Sequence, residues 1–102
     1  MFVAVYRWRL KSGREREFTR SWEAVTDAIR RDCGSYGSAL FRGDDGTYSG
    51  IAIWPDRETR ERCSAGEEAH SARMRDCVEE QFPEQRLELV SNLWDFAPKL
   101  DR

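Results

Sequence analysis

The chain opens with a segment in which β-branched and aromatic residues dominate, from Phe2 to Leu10. Such a segment is typical of a strand rather than of the start of a helix. Its residues alternate between two faces. One face carries Phe2, Ala4, Tyr6, Trp8 and Leu10, and the other carries Val3, Val5, Arg7 and Arg9. Both faces are apolar along the first half of the predicted strand.

A long amphipathic helix follows. Ser12 stands three residues before Glu15, which is the spacing of a capping box at a helix start. Beyond it, apolar residues recur at steps of four, three and four with charges between them, at Phe18, Trp22, Val25 and Ile29. The helix is expected to end near Cys33 and Gly34, because glycine adopts the left-handed conformation after a helix at little cost.

A hairpin is predicted next, with strands over residues 36–42 and 47–54. The turn between them contains Asp44, Asp45 and Gly46, and an Asp-Gly pair supplies the positive φ angles that a tight hairpin requires. A second helical segment is expected to begin at Asp56, a good N-cap, and to run to about residue 63. We expect it to break around residues 64–66, to resume to about residue 81, and to be closed by Pro83.

The last predicted strand covers about residues 85–96, where apolar residues alternate. The resulting order, β-α-β-β-α-β, predicts a single α+β domain over residues 1–102. It is the ferredoxin-like arrangement, in which a four-stranded antiparallel sheet carries both helices on one face. The other face would expose Val3, Val5, Ile51 and Ile53, at about 2 kcal/mol each relative to burial. We therefore expect a homodimer packed sheet against sheet; a monomer with a modest apolar patch is the alternative.

Composition and charge exclude several classes of protein. The net charge is −2, from 17 basic and 19 acidic residues whose signs interleave, so a nucleic-acid or membrane-surface footprint is not expected. The first residues lack the apolar run of a signal peptide, and no segment approaches a membrane span. Three cysteines without Cys-x-x-Cys spacing and one histidine support neither a disulfide framework nor a zinc site. We expect a cytoplasmic protein with reduced thiols.

Twelve of the residues are aromatic, four of them tryptophan, so the core is built from large side chains. If Tyr6 and Trp54 face the helices, the space beneath the sheet combines Tyr6, Trp8, Trp22 and Trp54 with the small residues Ala4, Gly50 and Ala52. Small residues beside large aromatic ones would leave a slot for a flat aromatic molecule. The alternative is that these aromatic residues form an ordinary core.

Three stretches carry a resemblance to a known family. They are K-S-G-R-E-R-E-F-x3-W over residues 11–22, G-S-Y-G-S-A-L-F-R-G-D-D-G-T-Y over 34–48, and I-A-I-W-P-D-R-E over 51–58. Together with the short first strand they resemble the antibiotic biosynthesis monooxygenase-like proteins of the dimeric α+β barrel superfamily, over about residues 2–78. The resemblance implies a dimer with a ligand pocket inside each protomer. Members include cofactor-independent oxygenases of phenols or anthrones, quinol oxygenases and haem-degrading enzymes.

His70, the only histidine, lies in E-E-A-H-S-A-R-M and resembles in context the haem-ligating histidine of the haem-degrading members. Those enzymes add an asparagine on the first strand and a tryptophan on the preceding helix, where this chain has Tyr6 and Cys63. Haem binding is therefore a third choice. His70 is a candidate base, since an ordinary histidine pKa suits proton removal from a phenol, or else a surface histidine.

These observations favour a monooxygenase that uses O2 on an aromatic phenol, anthrone or quinol, without metal or flavin. Tyr6 would hydrogen-bond the substrate oxygen and His70 would act as base, while Trp8, Trp22 and Trp54 would bind the rings. The alternative is a non-catalytic small-molecule-binding or stress-response protein on the same dimeric scaffold. The amount of empty space among the aromatic side chains discriminates the two.

Overall fold

The structure of the chain is a computed structural model that describes residues 1–64 and 68–95. It contains one antiparallel sheet and three helices. In chain order the elements are β1 (Phe2–Leu10), α1 (Glu15–Cys33), β2 (Gly37–Arg42), β3 (Tyr48–Trp54), α2 (Arg57–Arg62), α3 (Glu68–Asp76), β4 (Val78–Gln81) and β5 (Gln85–Glu88). The predicted α+β, ferredoxin-like fold is confirmed, with five strands instead of four.

The fifth strand arises because one edge of the sheet is made by two short strands in succession. The sheet order is β2-β3-β1-β4, and β5 also pairs with β1. β4 pairs with the second half of β1, where Trp8 lies opposite Gln81, and β5 pairs with the first half, where Phe2 lies opposite Glu88. Pro83 lies between β4 and β5, where a missing N–H removes no ladder bond. The two strands together complete the pairing of β1.

Two sequence predictions for this edge were wrong. The second helical segment does not continue to about residue 81, since α3 ends at Asp76 and Val78–Gln81 is a strand. Pairing with β1 satisfies backbone groups that would otherwise lack partners. The last strand ends at Glu88 and does not extend towards residue 96. Glu88 already lies opposite Phe2, the first residue of β1, and beyond it the Leu89 N–H donates a hydrogen bond to the carbonyl oxygen of Met1. Residue 96 lies outside the described residues.

The ends of α1 correct one prediction and confirm another. The helix begins at Glu15 with Arg14 as N-cap and without a side-chain cap, so the capping box predicted at Ser12 does not form. Gly13, at φ +81°, instead makes a turn before the helix, and its N–H donates to the Glu15 carboxylate at 3.0 Å. At the other end Gly34 has φ +77°, the left-handed conformation that the sequence predicts.

The second helical segment begins as predicted. Asp56 is the N-cap of α2, and its carboxylate accepts a hydrogen bond from the Thr59 N–H at 2.8 Å. The helix ends at Arg62, and the chain is helical again from Glu68. Most of the predicted break at 64–66 lies outside the described residues. No helix in the described part of the chain is long and apolar enough to cross a membrane.

The hairpin between β2 and β3 forms as predicted, but only one residue of the Asp-Gly pair in its turn has the positive φ angle that was expected of both. Gly46 alone of the pair has a positive φ, of +84°. Asp45 contributes its carboxylate, which accepts from the Thr47 N–H at 3.0 Å and from the Thr47 hydroxyl at 2.7 Å. These hydrogen bonds, together with the Arg7 guanidinium, lower the pKa of Asp45 to about 2.

The cysteines contradict the expectation of three reduced thiols. Cys33 and Cys63 form a disulfide, with their Cα atoms 5.3 Å apart. The bond joins the end of α1 to the residue that follows α2. Cys77 is the free cysteine and is buried, and its Sγ donates to the carbonyl oxygen of Arg73. The pairing was not foreseen because it depends on how the two helices meet, which no spacing in the sequence encodes.

Candidate functional site

A cavity of about 200 Å³ lies between the sheet and the helices. We call it the aromatic cavity. All four aromatic residues predicted for a site beneath the sheet contribute to its wall. The wall is formed by Tyr6, Trp8, Trp22, Val25, Thr26, Ile29, Ser38, Gly50, Ala52, Trp54, Met74 and Gln81.

The strand register explains how residues far apart in the sequence meet in this wall. β1 and β3 are antiparallel, so Tyr6 lies opposite Gly50 and Phe2 lies opposite Trp54. Residues opposite each other point to the same face of a sheet. The predicted parity of β1 is therefore correct, since Phe2, Ala4 and Trp8 are buried and Tyr6 is half-buried. Helix α1 covers this face with Trp22 and other apolar residues one turn apart.

Gly50 was expected to leave space for a ligand, but in the structure it mainly leaves space for two tryptophan rings. A Cβ atom at Gly50 would lie 3.1 Å from Cη2 of Trp8 and 3.3 Å from Nε1 of Trp22. The missing side chain therefore lets two tryptophan rings pack against the strand backbone, and they take part of the room that was expected for a ligand. Trp8 also stacks on Tyr6, with ring centroids 6.0 Å apart, and meets Phe18 edge-on at 5.0 Å. Trp8 thus belongs to both the core and the cavity wall.

Tyr6 supplies a polar group to this otherwise mostly apolar wall. Its hydroxyl oxygen accepts a hydrogen bond from Nε of Arg60 at 3.2 Å. Burial raises the pKa of Tyr6 above its usual value, and the nearby positive charge of Arg60 opposes that rise in part. At neutral pH the hydroxyl therefore keeps its proton, which suits hydrogen-bond donation better than proton removal.

Trp54 closes the cavity at the end of β3. The residue is only 2% exposed, and its indole Nε1 is buried without a hydrogen-bond partner among the described residues. A buried donor without an acceptor is costly. The guanidinium of Arg60 lies over the Trp54 ring, 5.9 Å from its centroid. Arg60 therefore contacts both Tyr6 and Trp54.

Arg60 and its partner Glu84 were not identified from the sequence. Nη2 of Arg60 lies 3.2 Å from both carboxylate oxygens of Glu84. The two side chains are 20% and 22% exposed, so this ion pair is shielded from water more than the others on the surface. Arg60 sits in the alternating run R-E-T-R-E-R of α2, where nothing in the sequence distinguishes it from Arg57 or Arg62. The sequence offered no signal for this pair.

His70 lies on α3, is half-buried, and is not among the residues that line the aromatic cavity. Met74, one turn further along the same helix, does line it. The structure thus brings Tyr6 and the three tryptophans together and leaves His70 outside their group. Its assignment as a base stays a prediction. Within residues 1–64 and 68–95, no three His, Cys, Asp or Glu side chains are grouped to hold a metal ion.

A larger groove of about 840 Å³ lies on the opposite side of the sheet. We call this side, which carries Val3, Val5, Ile51 and Ile53, the bare face. Residues from β2 and from the segment after β5 extend the groove, including Tyr36, Phe41, Leu87, Val90 and Trp94. None of the residues that line the groove belongs to a helix. Val90 is 97% exposed, although its side chain is apolar.

Solved structures with this fold include a cofactor-independent oxygenase, SnoaB from Streptomyces nogalater. It is 21% identical to this chain, with a TM-score of 0.75, over 90% of this chain and 95% of the oxygenase. A proposed antibiotic biosynthesis monooxygenase from Bordetella bronchiseptica is 19% identical, with a TM-score of 0.74, over 88% of this chain and 97% of that one. Rv0793 from Mycobacterium tuberculosis is 12% identical, with a TM-score of 0.73, over 91% and 98%.

No family model matches the sequence, and no curated protein matches it significantly. The likeness is therefore one of structure, at identities of 21% and below for the three proteins just named. It confirms that the chain has the fold of the antibiotic biosynthesis monooxygenase-like proteins, which its sequence motifs resemble.

Proposed function

We propose that the aromatic cavity is the active site of a monooxygenase that uses O2 on an aromatic phenol, anthrone or quinol, without metal or flavin. The observation that carries the proposal is the cavity itself, in which the half-buried Tyr6 side chain is set among three tryptophans. Apolar walls with a few placed polar groups are typical of small-molecule sites. The fold shared with SnoaB, a cofactor-independent oxygenase, supports the same reaction class.

In this reaction the substrate is its own reductant. Loss of the phenolic proton leaves an electron-rich anion, which gives one electron to O2, and the resulting radical and superoxide combine to form a carbon–oxygen bond. Loss of water from the hydroperoxide then gives a quinone. One oxygen atom stays in the product, and the other leaves as water with two hydrogens from the substrate. A cavity that excludes bulk water protects the intermediates in this sequence.

Each predicted site residue has a role in the proposal. The Tyr6 hydroxyl donates a hydrogen bond to the substrate oxygen and so stabilises the anion. Trp22 and Trp54 contact the aromatic rings of the substrate. Trp8 stacks on Tyr6 and so restricts the position of the tyrosine ring. His70 remains the candidate base. Because it does not line the cavity, we expect a smaller effect from His70→Gln than from Tyr6→Phe.

The size of the cavity narrows the class of substrate. Pockets for drug-sized ligands are about 300–1,000 Å³ in volume. A volume of about 200 Å³ lies below that range. The cavity therefore suits a phenol or quinol of one or two rings better than a three-ring anthrone.

The test is oxygen consumption by purified protein treated with chelator, against a panel of phenols, naphthols, quinols and anthrones. We expect Tyr6→Phe and Trp54→Phe each to lower the rate about tenfold or more, which corresponds to about 1.4 kcal/mol of lost transition-state stabilisation. Tyr36→Phe and Trp94→Phe are matched controls, since both residues line the bare-face groove instead. Equal rates in all four variants would refute the assignment of the cavity.

The second candidate is a non-catalytic binding protein, and it is favoured by the packing of Trp8 and Trp22 against Gly50, which reduces the empty space in the cavity. A ligand that quenches the fluorescence of the cavity tryptophans without consuming oxygen would identify this case. Absence of oxygen uptake across the whole panel, with binding retained, would replace the oxygenase proposal by the binding one.

We further propose that two chains form a homodimer through the bare face. Its support is the row of Val3, Val5, Ile51 and Ile53 in a groove that none of the described helices covers. Monomeric proteins rarely leave a large continuous apolar patch exposed. A two-fold axis would place the same surface of each chain against the other.

A cytoplasmic location is also a proposal, and the Cys33–Cys63 bond is relevant to it. Disulfides persist mainly in oxidising compartments. In a cytoplasmic protein we therefore expect this pair to be reduced in the cell and to oxidise after lysis. Thiol alkylation in intact cells, followed by mass analysis, tests this: blocked Cys33 and Cys63 agree with the cytoplasm, and an unblocked disulfide contradicts it.

A further inference from the structure

Tyr6 contacts Arg60, which belongs to a cluster of charged residues that do not line the aromatic cavity. Arg60 on α2 bridges two groups, with Nε on the Tyr6 hydroxyl oxygen at 3.2 Å and Nη2 on the Glu84 carboxylate at 3.2 Å. Glu84 lies between β4 and β5, and Arg86 at the start of β5 also pairs with it, at 3.3 Å. Arg60 therefore links the Tyr6 hydroxyl on β1 to a charged pair at the start of β5.

The direction of the hydrogen bond from Arg60 determines what Tyr6 can do. Arginine is only a donor, so the Tyr6 oxygen must accept, and the hydroxyl hydrogen must point elsewhere. No acceptor among the described residues receives that hydrogen. Since Tyr6 lines the aromatic cavity, an oxygen atom bound there can accept the hydrogen bond.

The Glu84 carboxylate makes this orientation stable. Arginine has a planar fork of donors that can bind two acceptors at once in fixed directions. Nη2 of Arg60 donates to both carboxylate oxygens of Glu84 while Nε–H donates to Tyr6, so the ion pair holds the guanidinium beside the tyrosine hydroxyl. The ion pair also balances the charge of Arg60 where both groups are largely buried.

From these contacts we infer that Arg60, held by Glu84, is a positioning residue that directs the Tyr6 hydroxyl hydrogen into the cavity, so that the site prefers the oxyanion form of an aromatic ligand. A hydrogen bond to an ionised acceptor is roughly twice as strong as one to a neutral acceptor. The inference rests on the proposed function for its ligand class, but it concerns ligand binding and needs no reaction with oxygen.

The first test is ligand-free and uses the pKa of Tyr6, followed by NMR in protein labelled at the tyrosine Cζ carbon. The chain has three tyrosines, and the Tyr6 signal is the one absent from Tyr6→Phe. Arg60 lowers the pKa of Tyr6 by its charge and hydrogen bond, and Glu84 raises it. We therefore expect Arg60→Gln to raise the pKa of Tyr6 and Glu84→Gln to lower it.

Arg57→Gln is the matched control. Arg57 lies on the same helix three residues earlier, pairs with Glu88 at 2.9 Å, and stacks on Phe2 instead of contacting Tyr6. It should leave the pKa of Tyr6 unchanged. A Tyr6 pKa that does not rise in Arg60→Gln, or that rises equally in Arg57→Gln, would overturn the inference, because Arg60, unlike Arg57, donates to the Tyr6 hydroxyl.

The second test measures the preference for an oxyanion with 4-nitrophenol, whose ionised form is yellow. Protein should increase the yellow absorbance at a pH near the pKa of the probe, because the bound probe ionises more readily than the free one. Arg60→Gln and Tyr6→Phe should bind the phenolate about tenfold more weakly. The Arg57→Gln variant should bind like the wild type, and equal binding of the neutral and ionised probe by wild type would refute the inference.

The two proposals fail in distinguishable ways. If no substrate consumes oxygen but the Tyr6 pKa shifts and phenolate preference are found, the oxygenase proposal falls and the positioning role of Arg60 stands. If oxygen is consumed but neither Arg60 nor Glu84 affects Tyr6, the positioning role falls alone.

Discussion

The two faces of the sheet are built from the same strands but differ in what covers them. Beneath the helices, Phe2, Ala4 and Trp8 on β1 are almost completely buried, and about 200 Å³ of space remains. On the bare face, Val3 and Val5 from the same strand are only half-buried and border a groove of about 840 Å³. Side chains that alternate along one strand thus meet two different environments.

The two faces also differ in the kind of side chain that they carry. The helix side holds large aromatic residues, and a few polar groups in the cavity wall include the Tyr6 hydroxyl, which is hydrogen-bonded to Arg60. The centre of the bare face carries smaller β-branched residues, and its groove is bordered by Ser38, Glu88 and Ser91 as well as by aromatic residues. We therefore propose chemistry at the first face and association at the second. Each of the following predictions tests that division.

The largest expected effect is on the assembly. Ile51 lies in the middle of the bare face, opposite Val5. Ile51→Asp should convert a dimer of twice the 12.0 kDa chain mass into a 12.0 kDa monomer, because a carboxylate would be buried without a partner in the interface. Size-exclusion chromatography with light scattering measures this.

Ser12→Asp adds the same charge in an exposed loop and should leave the dimer intact. A wild-type protein that elutes at 12.0 kDa at micromolar concentration would contradict the proposed interface directly.

A smaller effect is expected on the free energy of unfolding, which substitutions on the two faces should change in different ways. Phe18 is fully buried on the helix side, so Phe18→Ala should lower the free energy of unfolding by about 3–5 kcal/mol at every protein concentration. Ile53 is half-buried on the bare face, so Ile53→Ala should cost less, and its cost should depend on protein concentration. Urea unfolding at two protein concentrations measures both variants. A concentration-independent loss in Ile53→Ala would remove the distinction between the faces.

The smallest effect is expected at the hairpin, which belongs to neither side. The pKa of Asp45 is lowered to about 2, so its hydrogen bonds to Thr47 stabilise the fold above the unfolded pKa near 4 and are lost as the pH falls through about 2. Asp45→Asn should lower stability at neutral pH and flatten its decline between those pH values. Thermal unfolding from pH 7 to about pH 2 tests this, and an unchanged pH profile would contradict it.

Local patterns predicted most of the elements because they act between near neighbours. The spacing of Phe18, Trp22 and Val25 places α1, and Gly34 ends it where a positive φ is needed. Alternation along β1 correctly assigned Tyr6 and Trp8 to the helix side. The sequence failed at the edge of the sheet, where β4 and β5 share β1, because pairing with a particular strand outweighs the local preference for helix.

By itself the sequence determined the class of fold, the two faces of β1 and the group of aromatic residues beneath the sheet. Only the tertiary structure decided the Cys33–Cys63 bond, the packing of Trp8 onto Gly50, and the hydrogen bond between Arg60 and Tyr6. The physical reason is distance along the chain. Arg60 and Tyr6 are 54 positions apart, and a contact between such residues depends on how whole strands and helices pack, which no local pattern records.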